Sequence, residues 1–476
     1  MSILKLEKKN GSMVVTETMQ QPTGSGFLKE VTASPNQSLL PLTTKVNDKD
    51  HLEIGGCDVI QLLEQFGSPL YIMDEHSVRT ACSQYREGLA NNYSGESLVI
   101  YASKALSCLA ICALVASEGL GIDVASGGEL YTALQAGVDP QKIYFHGNNK
   151  SRAELEQAIN SNCTVVADNW LELKTLAELA PENQPRVMLR ITPGIECHTH
   201  EYIRTGHLDS KFGFDPNQVV EVLEFLANTP SLDFVGVHAH IGSQIFERQP
   251  HQDLAGVLAQ WLKKAKEFGL PARELNVGGG LGIRYTEADD PPSIGEWTAT
   301  VAKAVETACQ KEQIALPKLI CEPGRSLVGT TGVTAYTVGS RKEVPETRTY
   351  IAVDGGMSDN ARPITYESVY RSLLANRMSE KATETVTIAG KHCESGDVLI
   401  KEALLPKAEP GDTLVVMTTA AYGYSMASNY NRLLRPAMVL VQDGKAEVIV
   451  NRESYQDLIN QDSLPARLSL NSPVTL

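Results

Sequence analysis

From about residue 68 to 325 the chain repeats one alternation: short, continuously apolar runs give way to stretches whose apolar residues recur every three to four positions. The runs fall at 69–73, 98–103, 121–125, 143–146, 164–167, 186–191, 234–241, 274–277 and 318–321. Helical spacing fills the intervals, for example at 152–160, 218–227, 253–268 and 297–309. A strand covered on both faces is apolar throughout, whereas a helix packed on a sheet is apolar along one stripe. The switching period therefore predicts βα units around a buried parallel sheet. Nine runs are one more than a (β/α)8 TIM-like barrel needs, and the first, 69–73, is placed outside it. After about residue 326 the texture changes. Val/Thr/Tyr-rich runs at 333–338, 350–353, 385–388, 413–418 and 438–441 are separated by turn signals such as Asp354-Gly355-Gly356, Pro410-Gly411-Asp412 and Asp443-Gly444. That pattern predicts an antiparallel β domain, barrel or sandwich.

Four segments follow. Residues 1–50, rich in Thr, Ser, Gln, Lys and Gly, read as a flexible N-terminal extension. Residues 51–75 are expected to pack with the β domain, 76–325 to form the α/β barrel and 326–476 the β domain. A length of 476 residues, 42% of them hydrophobic, suits two domains with a sizeable core. The formal charge of −15, from 42 basic and 57 acidic residues, argues against nucleic acid or an anionic membrane as the main partner. Nine cysteines, an odd number with no zinc-type spacing, fit a reduced compartment. No apolar run is long enough for a membrane span, and the first residues hold no secretory apolar core, so the expected location is the cytoplasm.

The polar residues that could carry chemistry lie just beyond the apolar runs. Lys104 follows 98–103, His240 and Ser243 follow 234–239, Gly278, Gly279 and Gly280 follow 274–277, and Glu322 with Arg325 follows 318–321. In a barrel these are the C-terminal strand ends, where active sites gather. Each motif alone has an ordinary structural explanation: a strand-end lysine in an ion pair, a core histidine, a glycine turn, a Glu–Arg pair. Their arrival at one rim is what suggests a single site.

The motifs, in order, are Tyr101-Ala102-Ser103-Lys104-Ala105, His238-Ala239-His240-Ile241-Gly242-Ser243, Gly278-Gly279-Gly280-Leu281-Gly282, Glu322-Pro323-Gly324-Arg325, Cys393-Glu394-Ser395-Gly396-Asp397 and Ala421-Tyr422-Gly423-Tyr424. In this order and spacing the set resembles the diaminopimelate decarboxylases, pyridoxal-phosphate enzymes of the alanine-racemase-like fold. The resemblance runs from about residue 55 to 440. Residues 1–50 fall outside the family pattern, and His392 is given no role.

The resemblance implies pyridoxal 5′-phosphate as cofactor, no metal, and decarboxylation of meso-2,6-diaminopimelate to L-lysine and CO2, the last step of lysine biosynthesis. Lys104 would carry the cofactor aldehyde, and burial is expected to lower its pKa. Glu322 would face the pyridine nitrogen and strengthen the ring as an electron sink. Gly278, Gly279, Gly280, Ser243, Gly324 and Arg325 would cradle the phosphate. His240 would pack on the ring, with Asp123 nearby. Arg325, Arg362, Tyr366 and Glu394 would hold the far end of the substrate, the arginine forks reading its carboxylate. Tyr422 would touch both phosphate and substrate. Cys393 would return a proton to Cα, entering the site from the partner subunit of a homodimer. Two alternatives stay open: a related decarboxylase of ornithine, arginine or carboxynorspermidine, and a catalytically dead homologue acting as a regulator.

Overall fold

The computed structural model describes residues 2–9, 12–19, 22–30, 33–180, 184–195 and 209–468. Eight strands close into a parallel barrel: Ser97–Ala102, Gly121–Val124, Ile143–Phe145, Thr164–Ala167, Arg186–Arg190, Asp233–His238, Glu274–Asn276 and Lys318–Cys321. The eighth closes on the first through the pair Ile320 and Leu98. Side chains alternate across each strand. Ile100, Tyr144, Val166, Met188, Val235 and Ile320 form a cluster of their own, separate from the larger one in which the strands meet the helices. This is the packed inner layer expected of a small barrel. The helices begin where the sequence offers an oxygen for the first free amides: Ser126, Ser151, Asn169 and Ser293 each accept from the backbone three residues on. Ser293 and Glu296 make a full capping box, so that helix spans Ile294–Glu312 and starts before the periodicity at 297 shows it.

The strand placed outside the barrel, Leu70–Asp74, lies in the second domain between Gly332–Val344 and Ala437–Gln442. That domain is mixed, where a purely antiparallel one was expected. Leu70–Asp74 runs parallel to Ala437–Gln442, and Arg348–Val353 runs parallel to Glu384–Ala389. Parallel neighbours need a long crossover rather than a hairpin. The first crossover contains the whole barrel and further strands of the β domain; the second contains the short helix Arg362–Tyr366 and the strand Ser372–Leu374.

The N-terminal segment also departs from expectation. Ser2–Lys9 pairs antiparallel with Ser12–Met19. Residues 33–50 are built into the fold rather than loose. Leu39 and Leu40 are buried in the core of the β domain. Asn36 is fully buried, and its Nδ2 donates to the carbonyls of Gly282 (3.2 Å) and Pro292 (2.9 Å). Arg284 N donates to Asn36 O at 2.9 Å, and Thr418 Oγ1 to Leu39 O at 3.0 Å. The segment thus straps a barrel loop to the β domain. Among the described residues no helix is long and apolar enough to cross a membrane.

Candidate active site

A cavity of about 280 Å³ opens at the C-terminal mouth of the barrel. The barrel contributes Lys104, Asp123, His240, Ser243, Glu322 and Arg325 to its wall; the β domain contributes Arg362, Tyr366 and Tyr422. These elements are tied together by backbone. Ala102 N donates to Pro323 O at 3.0 Å, joining the ends of the first and eighth strands. Tyr422 N donates to Ala105 O at 2.8 Å, docking the β domain onto the turn that bears Lys104. Tyr422 holds φ near +60°, a left-handed conformation uncommon for a tyrosine and typical of constrained sites.

The glycine cluster divides its work. A side chain on Gly278 would come within 2.7 Å of His240 Nδ1, and one on Gly280 within 2.7 Å of Gly242 O; one on Gly279 would collide with the Glu322 carbonyl. Their smallness lets three strand ends converge. Gly278 N donates to Asn276 Oδ1 at 2.9 Å, and Gly279 N to His240 Nδ1 at 3.3 Å. Of the three, Gly280 lines the cavity. Gly324, also on the wall, would bring a side chain to 3.1 Å from Ala102 O.

Glu322 is the electrostatic centre. Its Oε2 lies 3.1 Å from His238 Nε2, and its Oε1 accepts from Asn276 Nδ2 at 2.7 Å. His146 Nε2 lies 2.8 Å from Oε1. Burial would push the carboxyl up, yet the His146 and His238 rings beside it outweigh burial and hold it well below the usual range. Burial pushes His238 down to about 4 and His240 well below its ordinary value, so both rings are neutral near pH 7. Lys104 differs from expectation. Burial pulls its ammonium down, but Tyr422, Asp123 and Glu322 together reverse the direction, and the pKa rises.

Asp123 is strained in the opposite sense from Glu322. Burial is the largest cause of its rise from 3.8 to about 6, against the pull of His146. An acid whose pKa rises on folding supports the fold below its unfolded pKa and loses that support as pH climbs through the folded value. Asp123→Asn should therefore stabilise the cofactor-free protein at pH 8, by at most about 3 kcal/mol, and by only about 0.5 kcal/mol at pH 4. Thermal midpoints at the two pH values check this; an equal shift at both would contradict it.

The second group of charges faces the β-domain side. Arg325 donates to Ser243 Oγ through Nε (3.2 Å) and Nη2 (3.1 Å), and to Tyr285 Oη through Nη1 (2.6 Å). Arg362 donates to Tyr370 Oη (3.1 Å) and Ser368 Oγ (3.2 Å). Both guanidiniums lie over the Tyr422 ring, at 4.8 and 5.6 Å, and Arg362 also over Tyr366 at 5.2 Å. Two buried cations at the edge of one space, held by hydroxyls rather than carboxylates, form a receptor for an anion.

Cys393 and Glu394 are not brought to this cavity. Both are exposed, on a loop anchored from below by Asp397. Asp397 Oδ2 accepts from His392 N (2.9 Å) and lies 2.6 Å from His392 Nδ1, while Oδ1 accepts from Met357 N (2.7 Å). Sequence reasoning also missed His146, Arg190 and Asn276. His146 closes the third barrel run and Arg190 ends the fifth strand, so the strand-end rule that singled out Lys104 could have found them. Asn276 sits inside an apolar run and carries no such signal.

The family model for the pyridoxal-dependent decarboxylases, pyridoxal binding domain, matches residues 75–329. The chain is 62% identical to a diaminopimelate decarboxylase of Synechocystis sp. over 467 residues, which cover 96% of this chain and all of the relative. It is 46% identical to that of Bacillus subtilis over 427 residues, 88% of this chain and 97% of the relative. The crystal structure of diaminopimelate decarboxylase from M. jannaschii in co-complex with L-lysine superimposes with a TM-score of 0.83 at 35% identity, covering 91% of this chain and all of the other.

Proposed function

This chain belongs to the diaminopimelate decarboxylases, a pyridoxal-dependent family, and we infer that its barrel mouth holds pyridoxal 5′-phosphate and takes CO2 from meso-2,6-diaminopimelate to leave L-lysine. The observation that carries this reading is one cavity wall that brings together the Lys104 amine, the ionised Glu322 and the paired guanidiniums of Arg325 and Arg362.

The residues present fit the cofactor. Gly280 and Gly324 put bare backbone on the cavity wall, and Arg325 with Ser243 offers cationic and hydroxyl groups to a phosphate. Lys104 would carry the aldehyde, Glu322 would keep a proton on the ring nitrogen, and neutral His240 would cover the ring face. When bound, the cofactor supplies a ring that takes up the electron pair left by departing CO2. Lys104 must lose a proton before it acts as a nucleophile, and its anionic neighbours set the cost of that step. Arg362 and Tyr366 would hold the distal carboxylate. Tyr422, stacked under both guanidiniums, would keep them facing the same space. Cys393 of a second copy would give its thiol proton to Cα, and Glu394 of that copy would receive the distal ammonium. The eight cysteines of the described residues are all free, which supports a cytoplasmic setting.

Substrate choice tests the reading. A site that pairs a distal carboxylate and a distal ammonium leaves buried groups unpaired when either is missing. Diaminopimelate is expected to be preferred over ornithine by about 10⁴ in kcat/KM, and Arg362→Ala to remove most of that preference. CO2 release measured across a panel of diamino acids decides it. Comparable turnover of ornithine would support the ornithine-type alternative instead.

A further inference from the structure

Glu322 sits where burial works against it. A carboxylate inside protein is costly unless charge and hydrogen bonds compensate. Its backbone is fixed, since Glu322 N donates to Gly278 O at 2.9 Å. Its charge is felt by Lys104, Asp123, His146, Arg190, His238 and His240 around the mouth, and its Oε1 accepts from Asn276 Nδ2. Most act through space. His238 reaches it, Nε2 to Oε2 at 3.1 Å, and His146 crowds Oε1 at 2.8 Å.

The tautomer of His238 follows from its surroundings. A carboxylate can only accept, so the nitrogen facing it, Nε2, must carry the proton. Nδ1 is then an acceptor, and it is buried with no partner. His238 therefore donates a hydrogen bond to Glu322 through Nε2–H. His146 Nε2 lies between two acids, 2.8 Å from Glu322 and 3.8 Å from Asp123 Oδ1. The two rings meet edge to face, with centroids 4.8 Å apart, so each limits the turning of the other.

We propose that His238 and His146 are positioning residues that brace Glu322 as an ionised carboxylate aimed at the barrel mouth. The proposal rests on the reading of Glu322 as the group facing the ring nitrogen. Without the brace, burial favours the neutral acid, and the residue can no longer hold a proton on a nitrogen opposite it. The brace governs the charge of Glu322 rather than substrate affinity.

The test uses the holoenzyme. His238→Leu removes the donor; His238→Gln keeps an N–H at nearly the same reach. His238→Leu is expected to lower kcat by roughly 10- to 100-fold with KM changed by less than about twofold. The acid limb of kcat, and the pH dependence of the absorbance of bound pyridoxal phosphate, should move upward by about one pH unit or more. His238→Gln should restore most of both, and His146→Leu should show the same shift with a smaller fall in kcat. A His238→Leu enzyme with the wild-type pH profile and absorbance overturns the proposal. Where the leucine variant does not fold, His238→Gln is compared with the shorter His238→Asn, and identical profiles for the two overturn it. Failure of the wild-type chain to bind pyridoxal phosphate at all would instead overturn the underlying reading of the site.

Discussion

Lys104→Ala is expected to reduce decarboxylation by about 10⁴-fold or more, the scale on which deleting a covalent catalytic group acts. Borohydride reduction of the wild-type enzyme, digestion and peptide mapping should place the pyridoxyl group on Lys104. The serious competitor is Lys150. It is buried, it lies on the loop after the third barrel strand, and burial lowers its pKa, as suits a nucleophilic amine. Its ammonium, however, is fully committed. Nζ donates to Gly147 O (2.7 Å), Val166 O (2.9 Å) and Glu172 Oε2 (3.0 Å). Releasing it would strand a buried carboxylate and two buried carbonyls, each costly to leave unmade. Lys104 faces the cavity, and its anionic neighbours act on it electrostatically. It can change partners without opening the core. An adduct on Lys150 would mean that pKa, rather than access, selects the lysine, and would sink the assignment.

The barrel was legible because its strands are covered on both faces. Val99-Ile100-Tyr101 reads as apolar whichever side each residue takes, and the same holds for Val165-Val166-Ala167 and Leu319-Ile320-Cys321. Strand ends then located Lys104, His240 and Glu322 without knowledge of the pairing. What local pattern does not contain is partners distant in the chain. Asn36 donates to a carbonyl 246 positions away, and nothing near it in sequence marks it as a strap. The parallel pairing of Leu70–Asp74 with Ala437–Gln442 is likewise fixed by the intervening barrel and not by either strand. The glycine cluster was legible as a place of close approach, but not as to what approaches. The structure shows all three making room for protein, with Gly280 also lining the cavity. The place of Lys104 was legible and its pKa was not, because the answer depends on carboxylates and a phenol arriving from other elements.

Mixing inactive Lys104→Ala and Cys393→Ala chains is expected to restore activity. The loop that bears Cys393 is rigid at its base and open at its tip. Asp397 ties it to His392 and Met357, and Asn431 Oδ1 accepts from Cys393 N at 2.8 Å. His392 stacks on Tyr430, which is 42% exposed. The exposed Cys393 is not part of its own chain's cavity wall. A second copy related by a twofold axis would present its own Cys393 and Glu394 to that cavity and receive the same in return. In a mixed dimer both lesions then fall in one site and leave the other whole. Random exchange makes about half the dimers mixed, each with one of two sites intact, so about one quarter of wild-type activity should return. The recovered activity should rise with the extent of subunit exchange, followed by tagging one parent. If mixed dimers form and activity stays at the level of the parents, Cys393 serves its own chain or is not the proton donor, and the loop would have to fold back over the barrel mouth in a conformation other than the one described.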